Sequence, residues 1–207
     1  MIAAISLMRQ RDDVTLAQFR RHWLDVHGPL VCAFPGLRHY VQLHVIASPA
    51  MNLLARDMRI EGFPILWFDN DDDRLQAHES PEMAACNIDS RSFIGAVSRV
   101  ICEPVAVQAP PASARMKLMV LLPGPTADDV ALKQCALWAE KLPRLSGLTL
   151  YSVLRQGAAP NSIIAHLPVH VAGLVELTFA SLVDLECALA HAPADAAHFV
   201  AEEHRLL

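Results

Sequence analysis

Residues 15–40 read TLAQFRRHWLDVHGPLVCAFPGLRHY, and the fold follows from how this stretch starts, breaks and turns. Thr15 is placed to accept from the backbone N–H of Gln18 while the Gln18 side chain reaches back, and Val14 stands where it can staple onto Phe19. A helix therefore starts at Thr15. Phe19, Trp23, Val26/His27 and Leu30 recur every three or four residues, so His27 shares the apolar stripe with Trp23 while Arg21 and Asp25 point outward. Pro29 has no N–H for the Asp25 carbonyl, and a proline inside a helix costs about 3 kcal/mol. The helix is expected to kink at His27-Gly28-Pro29, or to end at Gly28 and restart with Pro29 in its first turn. Beyond the turn at Pro35-Gly36, the strand Arg38–Ala47 alternates, with His39, Val41, Leu43 and Val45 on one face and Arg38, Tyr40, Gln42 and His44 on the other. The apolar set is expected to pack beneath the helices. That would bring His39 to the side of His27 and send Tyr40 and His44 toward the opposite sheet.

Working outward, a shift of 111 residues lays Thr15 on Thr126, Gly36-Leu37 on Gly147-Leu148, Tyr40 on Tyr151, Gly62 on Gly173, Leu66 on Leu177 and Phe68 on Phe179. Phase kept across a helix, a turn and two strands marks two copies of one unit. The copies are read as residues 1–109 and 115–207, with a Pro/Ala linker at 110–114. In the first, strands at Ile2–Met8, Arg38–Ala47, Gly62–Phe68 and Ser98–Val107 surround the helix Thr15–Phe34 and a second helix from Asp72 to about Val97, interrupted near Ser80-Pro81. Residues 48–61 read as a loop. The order β-α-β-β-α-β is ferredoxin-like, so the fold class is α+β. In the second copy Met116–Leu122, Thr126–Leu142, Leu148–Gln156, Gly173–Ala180 and a helix from Ser181 repeat the pattern. Laying Pro193 on Pro81 then makes residues 199–207 helical, removes the fourth strand and leaves an open sheet edge to be covered. The alternative makes 199–207 a short final strand.

Composition narrows the function classes. The 207 residues are 53% apolar and 19% charged, the balance of a folded, core-rich protein. No apolar run is long enough to span a membrane and the start lacks the marks of a secretory signal, so a cytoplasmic protein without membrane association is expected. Five dispersed cysteines without a Cys-x-x-Cys argue for reduced thiols. A net charge of −5 with no basic cluster beyond Arg20-Arg21 argues against nucleic acid. His166 and His170 have i, i+4 spacing, but Pro168 lies between them, and no metal site is expected there. Asp69 to Asp73 lacks the glycine and distal glutamate of a calcium loop and reads as a helix N-terminal charge cluster. Phosphate-loop, dinucleotide and serine-nucleophile motifs are missing from the sequence, so no cofactor is expected.

The segments Trp23–Leu30 (W-x-x-x-H-G-P-L), Pro35–Val41 and Leu66-Trp67-Phe68 resemble the EthD family of the dimeric α+β barrel superfamily, over residues 1–107. The second copy resembles the fold without the motif. The resemblance implies two ferredoxin-like sheets packed into a barrel, between subunits or here between tandem halves, with a ligand cavity between a sheet and its helices. It also implies cofactor-independent isomerase, cyclase, lyase or monooxygenase chemistry on a small apolar catabolic or biosynthetic intermediate. The superfamily has haem-binding branches as well. A homodimer is compatible with it. His27 is then the expected acid/base, His39 its assistant, and Trp23, Phe34 and Trp67 the expected pocket walls. The copies themselves point the same way. Under the shift, His27 falls on Trp138, His39 on Leu150, His44 on Arg155 and Trp67 on Thr178, as one retained site would leave them. The alternatives are a ligand-binding or structural barrel without turnover, in which His27 is a core residue, and a haem protein with an axial histidine.

Overall fold

The computed structural model describes residues 1–49, 51–157, 163–190 and 192–207. In chain order the elements are β1 (Ile2–Gln10), α1 (Leu16–His22), a π turn (Trp23–His27), α2 (Gly28–Cys32), β2 (Leu37–Val45), α3 (Leu53–Met58), β3 (Gly62–Phe68), α4 (Asp71–Glu79), α5 (Pro81–Ser90) and β4 (Ile94–Gln108). The second half continues with β5 (Met116–Pro123), α6 (Asp129–Ala139), β6 (Gly147–Gly157), β7 (Ala165–His166), β8 (Val171–Phe179), α7 (Leu182–Leu189) and β9 (Ala197–Arg205). The expected loop at 48–61 contains α3, which Asn52 caps by accepting from the Ala55 N–H; Ala50 of that stretch lies outside the described residues. The helix of the second copy starts at Asp128 rather than Thr126, because the Asp128 carboxylate takes the N–H groups of Val130 and Ala131.

The two copies form sheets of the same order, β2-β3-β1-β4 and β6-β8-β5-β9. Antiparallel pairing of β2 with β9 and of β4 with β6 joins them into a closed barrel of eight strands, and β7 adds a short parallel pairing to β4 outside the ring. Closure decides the end of the chain. Ala197–Arg205 is the fourth strand of the second sheet, not a helix, and no open edge is left between the two sheets. What the second copy lacks is a counterpart of α5: after α7, which corresponds to α4, the chain goes directly into β9.

The barrel interior takes the apolar faces of both sheets, with Ala3, Ile5, Leu7, Val41, Leu43, Val45, Phe63 and Ile65 meeting Met119, Leu121, Leu174 and Phe199. This reverses the expected facing of β2. In a closed barrel the interior is the driest place available and alternate side chains fill it, so Val41, Leu43 and Val45 turn inward, while Tyr40, Gln42 and His44 lie on the helix side. A register irregularity between Leu37 and His39 starts that alternation. Strand pairing also revises the ungapped match of the copies. Tyr40 pairs with Leu66 on β3, whereas Leu177, the counterpart of Leu66, pairs with Leu148 on β6. The position equivalent to Tyr40 is therefore Leu148, and Tyr151 is an interior residue.

The first helix is held close to its sheet at Gly62. A Cβ there would stand 2.3 Å from Cζ3 and 2.6 Å from Cη2 of Trp23, whose fully buried indole stacks on His44 with ring centroids 4.4 Å apart. With no free rotamer for the indole, Gly62→Ala is expected to cost about 1–3 kcal/mol through overpacking, read as a lower urea midpoint at unchanged slope. An unchanged midpoint would show that Trp23 has room to shift.

Candidate functional site

Thr15 caps α1 with the expected reciprocal pair to Gln18. Fourteen residues on, at Pro29, the helix does not end: the backbone stays right-handed and Pro29 stands in the first turn of α2. It widens: the Gly28 N–H reaches the Trp23 carbonyl, an i→i+5 bond, so the missing proline N–H is absorbed in a π turn. The widening has a chemical consequence. Five residues apart in an α-helix are about 140° apart around the axis, but the wider turn brings His22 and His27 to one side, where both meet Asp89 of α5. His22 Nε2 lies 2.8 Å from Oδ1, and His27 Nδ1 lies 2.8 Å from Oδ2.

His27 is 7% exposed, with the edge of its ring against Phe93. Burial lowers its pKa below the usual 6.5; Asp89 pulls it back up without cancelling that effect. At neutral pH the imidazole is therefore uncharged. Asp89 accepts from Nδ1–H, which fixes the tautomer and leaves the Nε2 lone pair free to take a proton. Cys86 Sγ lies 3.5 Å from Nε2 and 3.8 Å from Nδ1. Near-equal distances put the sulfur over the ring face, since a thiol aligned with one nitrogen's lone pair would lie much farther from the other nitrogen. Burial pushes that thiol up to about 12. Cys86 is a packing neighbour here, not an activated nucleophile.

Behind His27 runs a buried polar chain. Gln42 Nε2 donates to the Trp23 carbonyl at 2.9 Å and to the Tyr40 hydroxyl at 2.8 Å, and Trp23 Nε1 donates to the same hydroxyl at 3.2 Å. His44, held down to about 3 first by burial and then by His204 and Arg20, donates from Nε2 to Gln42 Oε1 at 2.8 Å. Two incoming N–H groups occupy both lone pairs of Tyr40 Oη. Its own proton meets no acceptor among the described residues, and Tyr40 lines a cavity.

That cavity, of about 550 Å³, lies between the first sheet and its helices. His27, Trp23, Tyr40, Phe34, Leu66 and Met83 form its deeper wall, and Asp71, Arg74, His78 and Arg99 a polar one. Of the expected site residues, His27, Trp23 and Phe34 meet here. His39 and Trp67 do not: His39 is exposed with its ring edge toward Trp67, and Trp67 packs on the barrel-interior side of β3. Both follow from the reversed facing of the sheet. Sequence reasoning missed Asp89 and Gln42, and set Tyr40 aside as barrel lining. Asp89 was hidden because the second helix was carried on to Val97, past the residue that closes the site. The second sheet carries Leu132, Cys135, Ala139, Leu185 and Leu189 on its helix face, packed as core. His166 lies in β7 and His170 in the following loop, both exposed, and among the described residues no three His, Cys, Asp or Glu side chains converge as a metal site. No helix among them is long and apolar enough to cross a membrane.

Residues 11–96, within the amino-terminal copy, match the EthD domain. No curated protein sequence matches the chain. Among solved structures, an anthrone oxidase-like protein is similar over 99% of this chain and 93% of its own, with a TM-score of 0.66 at 8% identity. A protein provisionally named a monooxygenase, from Fusobacterium nucleatum subsp. nucleatum ATCC 25586, covers 100% of this chain and 92% of its own with a TM-score of 0.56 at 7% identity. These two carry the fold, a pair of ferredoxin-like units in one α+β barrel. An ethyl tert-butyl ether D (EthD) family protein from Bacillus halodurans C-125 is 25% identical, covering 50% of this chain and 97% of its own, with a TM-score of 0.42.

Proposed function

Proceeding from an EthD domain built around a buried histidine-carboxylate pair, we propose that this protein is a small-molecule enzyme using cofactor-independent acid/base chemistry on an enolisable or phenolic ring compound. The observation that supports it most is the His27–Asp89 contact of 2.8 Å beside the cavity. A neutral imidazole with Nδ1–H on a carboxylate is a general base poised at Nε2. When Nε2 takes a C–H or O–H proton, Asp89 stabilises the imidazolium. The Tyr40 hydroxyl, whose proton has no other described acceptor, then donates to the developing oxyanion, a role its burial-raised pKa suits because it stays protonated. Return of the proton to a second carbon completes an isomerisation; cyclisation, elimination or oxygenation would start from the same anion.

Proton exchange on a simple enolisable ring ketone tests this whatever the natural substrate. Deuterium uptake by 2-tetralone in D2O, followed by proton NMR, is expected to be accelerated by the protein and to saturate. Saturable binding without exchange would favour a binding barrel, and a Soret band in the isolated protein would reassign His27 to an iron.

Asp89 should appear in the pH profile. The rate of the parent protein is expected to fall on acidification with an apparent pKa below 6.5, because protonation removes the base. Asp89→Asn removes the group that raises the His27 pKa. The acidic limb should then move to still lower pH while the plateau drops about 10²-fold or more. A limb that stays in place would exclude the pair.

A further inference from the structure

We propose that the ligand of this cavity is an apolar monocarboxylate, and that Arg99 of β4 is the side chain that recognises it. The inference rests on the cavity being the reaction site.

Arg99 lies on the helix-facing side of β4 between Val97 and Ile101, and all three line the cavity. Its one side-chain hydrogen bond among the described residues runs from Nη1 to His78 Nε2, at 3.3 Å. His78 accepts as a neutral imidazole, held down to about 4 first by burial and then by Arg99 and Arg74. It therefore supplies no negative charge. No carboxylate among the described residues lies within 4.0 Å of Arg99, and the residues outside that set, Ala50, 158–162 and His191, include no acidic side chain.

Its neighbours differ. Asp71 takes both Arg74 Nε, at 2.6 Å, and Arg155 Nη2, at 2.5 Å, which holds its carboxyl down to about 2. Asp89 is committed to the two histidines, and Glu79 is exposed at the rim. A partly buried guanidinium without a counter-ion loses solvation and gains no charge partner. Four of its five donors have no described acceptor. One carboxylate would meet that fork with two parallel bonds, and its apolar body would sit among Trp23, Phe34, Leu66 and Met83.

The test uses 1-naphthoate and its uncharged amide, 1-naphthamide, titrated calorimetrically into the parent protein, Arg99→Met and His27→Ala. The parent is expected to bind naphthoate about tenfold or more tighter than the amide, the worth of a charge-assisted hydrogen bond. Arg99→Met should erase that preference and leave amide affinity unchanged, while His27→Ala should keep it. Equal affinities on the parent protein, no saturable naphthoate binding, or a preference that survives Arg99→Met would each overturn the assignment. The first two need no variant, so a misfolded Arg99→Met leaves the test intact. Were proton exchange to persist in His27→Ala while the Arg99-dependent preference held, the acid/base reading would fail and the ligand class would stand.

Discussion

His27→Ala is expected to lower exchange or turnover about 10²–10⁴-fold, the range a positioned general base contributes, with the fold retained. Retention follows from the geometry of Asp89. Its carboxylate loses His27 but keeps His22 at 2.8 Å, so no charge is orphaned by the truncation. Circular dichroism and the urea midpoint check that half of the expectation. Added imidazole separates the base from a structural histidine: free imidazole should enter the vacated space and restore part of the rate, whereas a core-filling role would be restored equally by an apolar ring of the same size. Turnover equal to the parent's would remove His27 from the chemistry.

The difference between what the sequence disclosed and what it concealed lies in the range of the interactions. Thr15 and Gln18, the His27-Gly28-Pro29 break and the Pro35-Gly36 turn act over a few residues, so their chemistry is written in neighbouring letters. The duplicated unit was legible for the same reason, as a repeated string of such local signals. The facing of β2 was not. His39 stays on one face with Val41, Leu43 and Val45, and Tyr40 on the other with Gln42 and His44, as the alternation has it; only the direction each face points is reversed. Which face of the sheet is the dry one depends on barrel closure, a contact between strands far apart in the chain. The π turn was legible as a disturbance at Pro29, but its outcome was not, since widening, kinking and restarting all answer the same missing N–H. Asp89 reaches His27 across 62 residues, and nothing in its own neighbourhood, Cys86 to Ser92, marks it as a partner. The final strand illustrates a weaker local signal losing to topology: Pro193 resembles the start of a helix, but β2 and β5 both need a strand between them.

The largest stability effect is expected at the other end of the barrel, from Lys117→Met. Lys117 is 1% exposed, with Nζ 2.6 Å from Glu176, 2.9 Å from Glu203 and 2.8 Å from the Thr178 hydroxyl, while the Tyr151 hydroxyl donates to Glu176 at 2.9 Å. Burial alone would lower the lysine pKa, but the two carboxylates outweigh it and hold it above 10.5. Its contribution is therefore fully present at neutral pH and is lost only as pH rises through that elevated value. Removing the ammonium leaves the buried Glu176 carboxylate with the Tyr151 hydroxyl and no cation among the described residues, while Glu203 keeps Arg115 and Arg205; breaking a buried pair in this way costs about 3–5 kcal/mol. The deficit should appear as a lower urea midpoint at pH 7 and be largely recovered in Lys117→Met/Glu176→Gln. Consequences should reach the site through the sheet. Glu203 lies on β9 directly opposite Leu43, and β9 is the strand that holds β2, with its Tyr40 and Gln42, against the second half. Amide exchange in Lys117→Met is accordingly expected to quicken along β9 and β2 before β1 and β3. Equal stability of variant and parent at pH 7 would mean that the Lys117–Glu176 pair contributes nothing net to the fold.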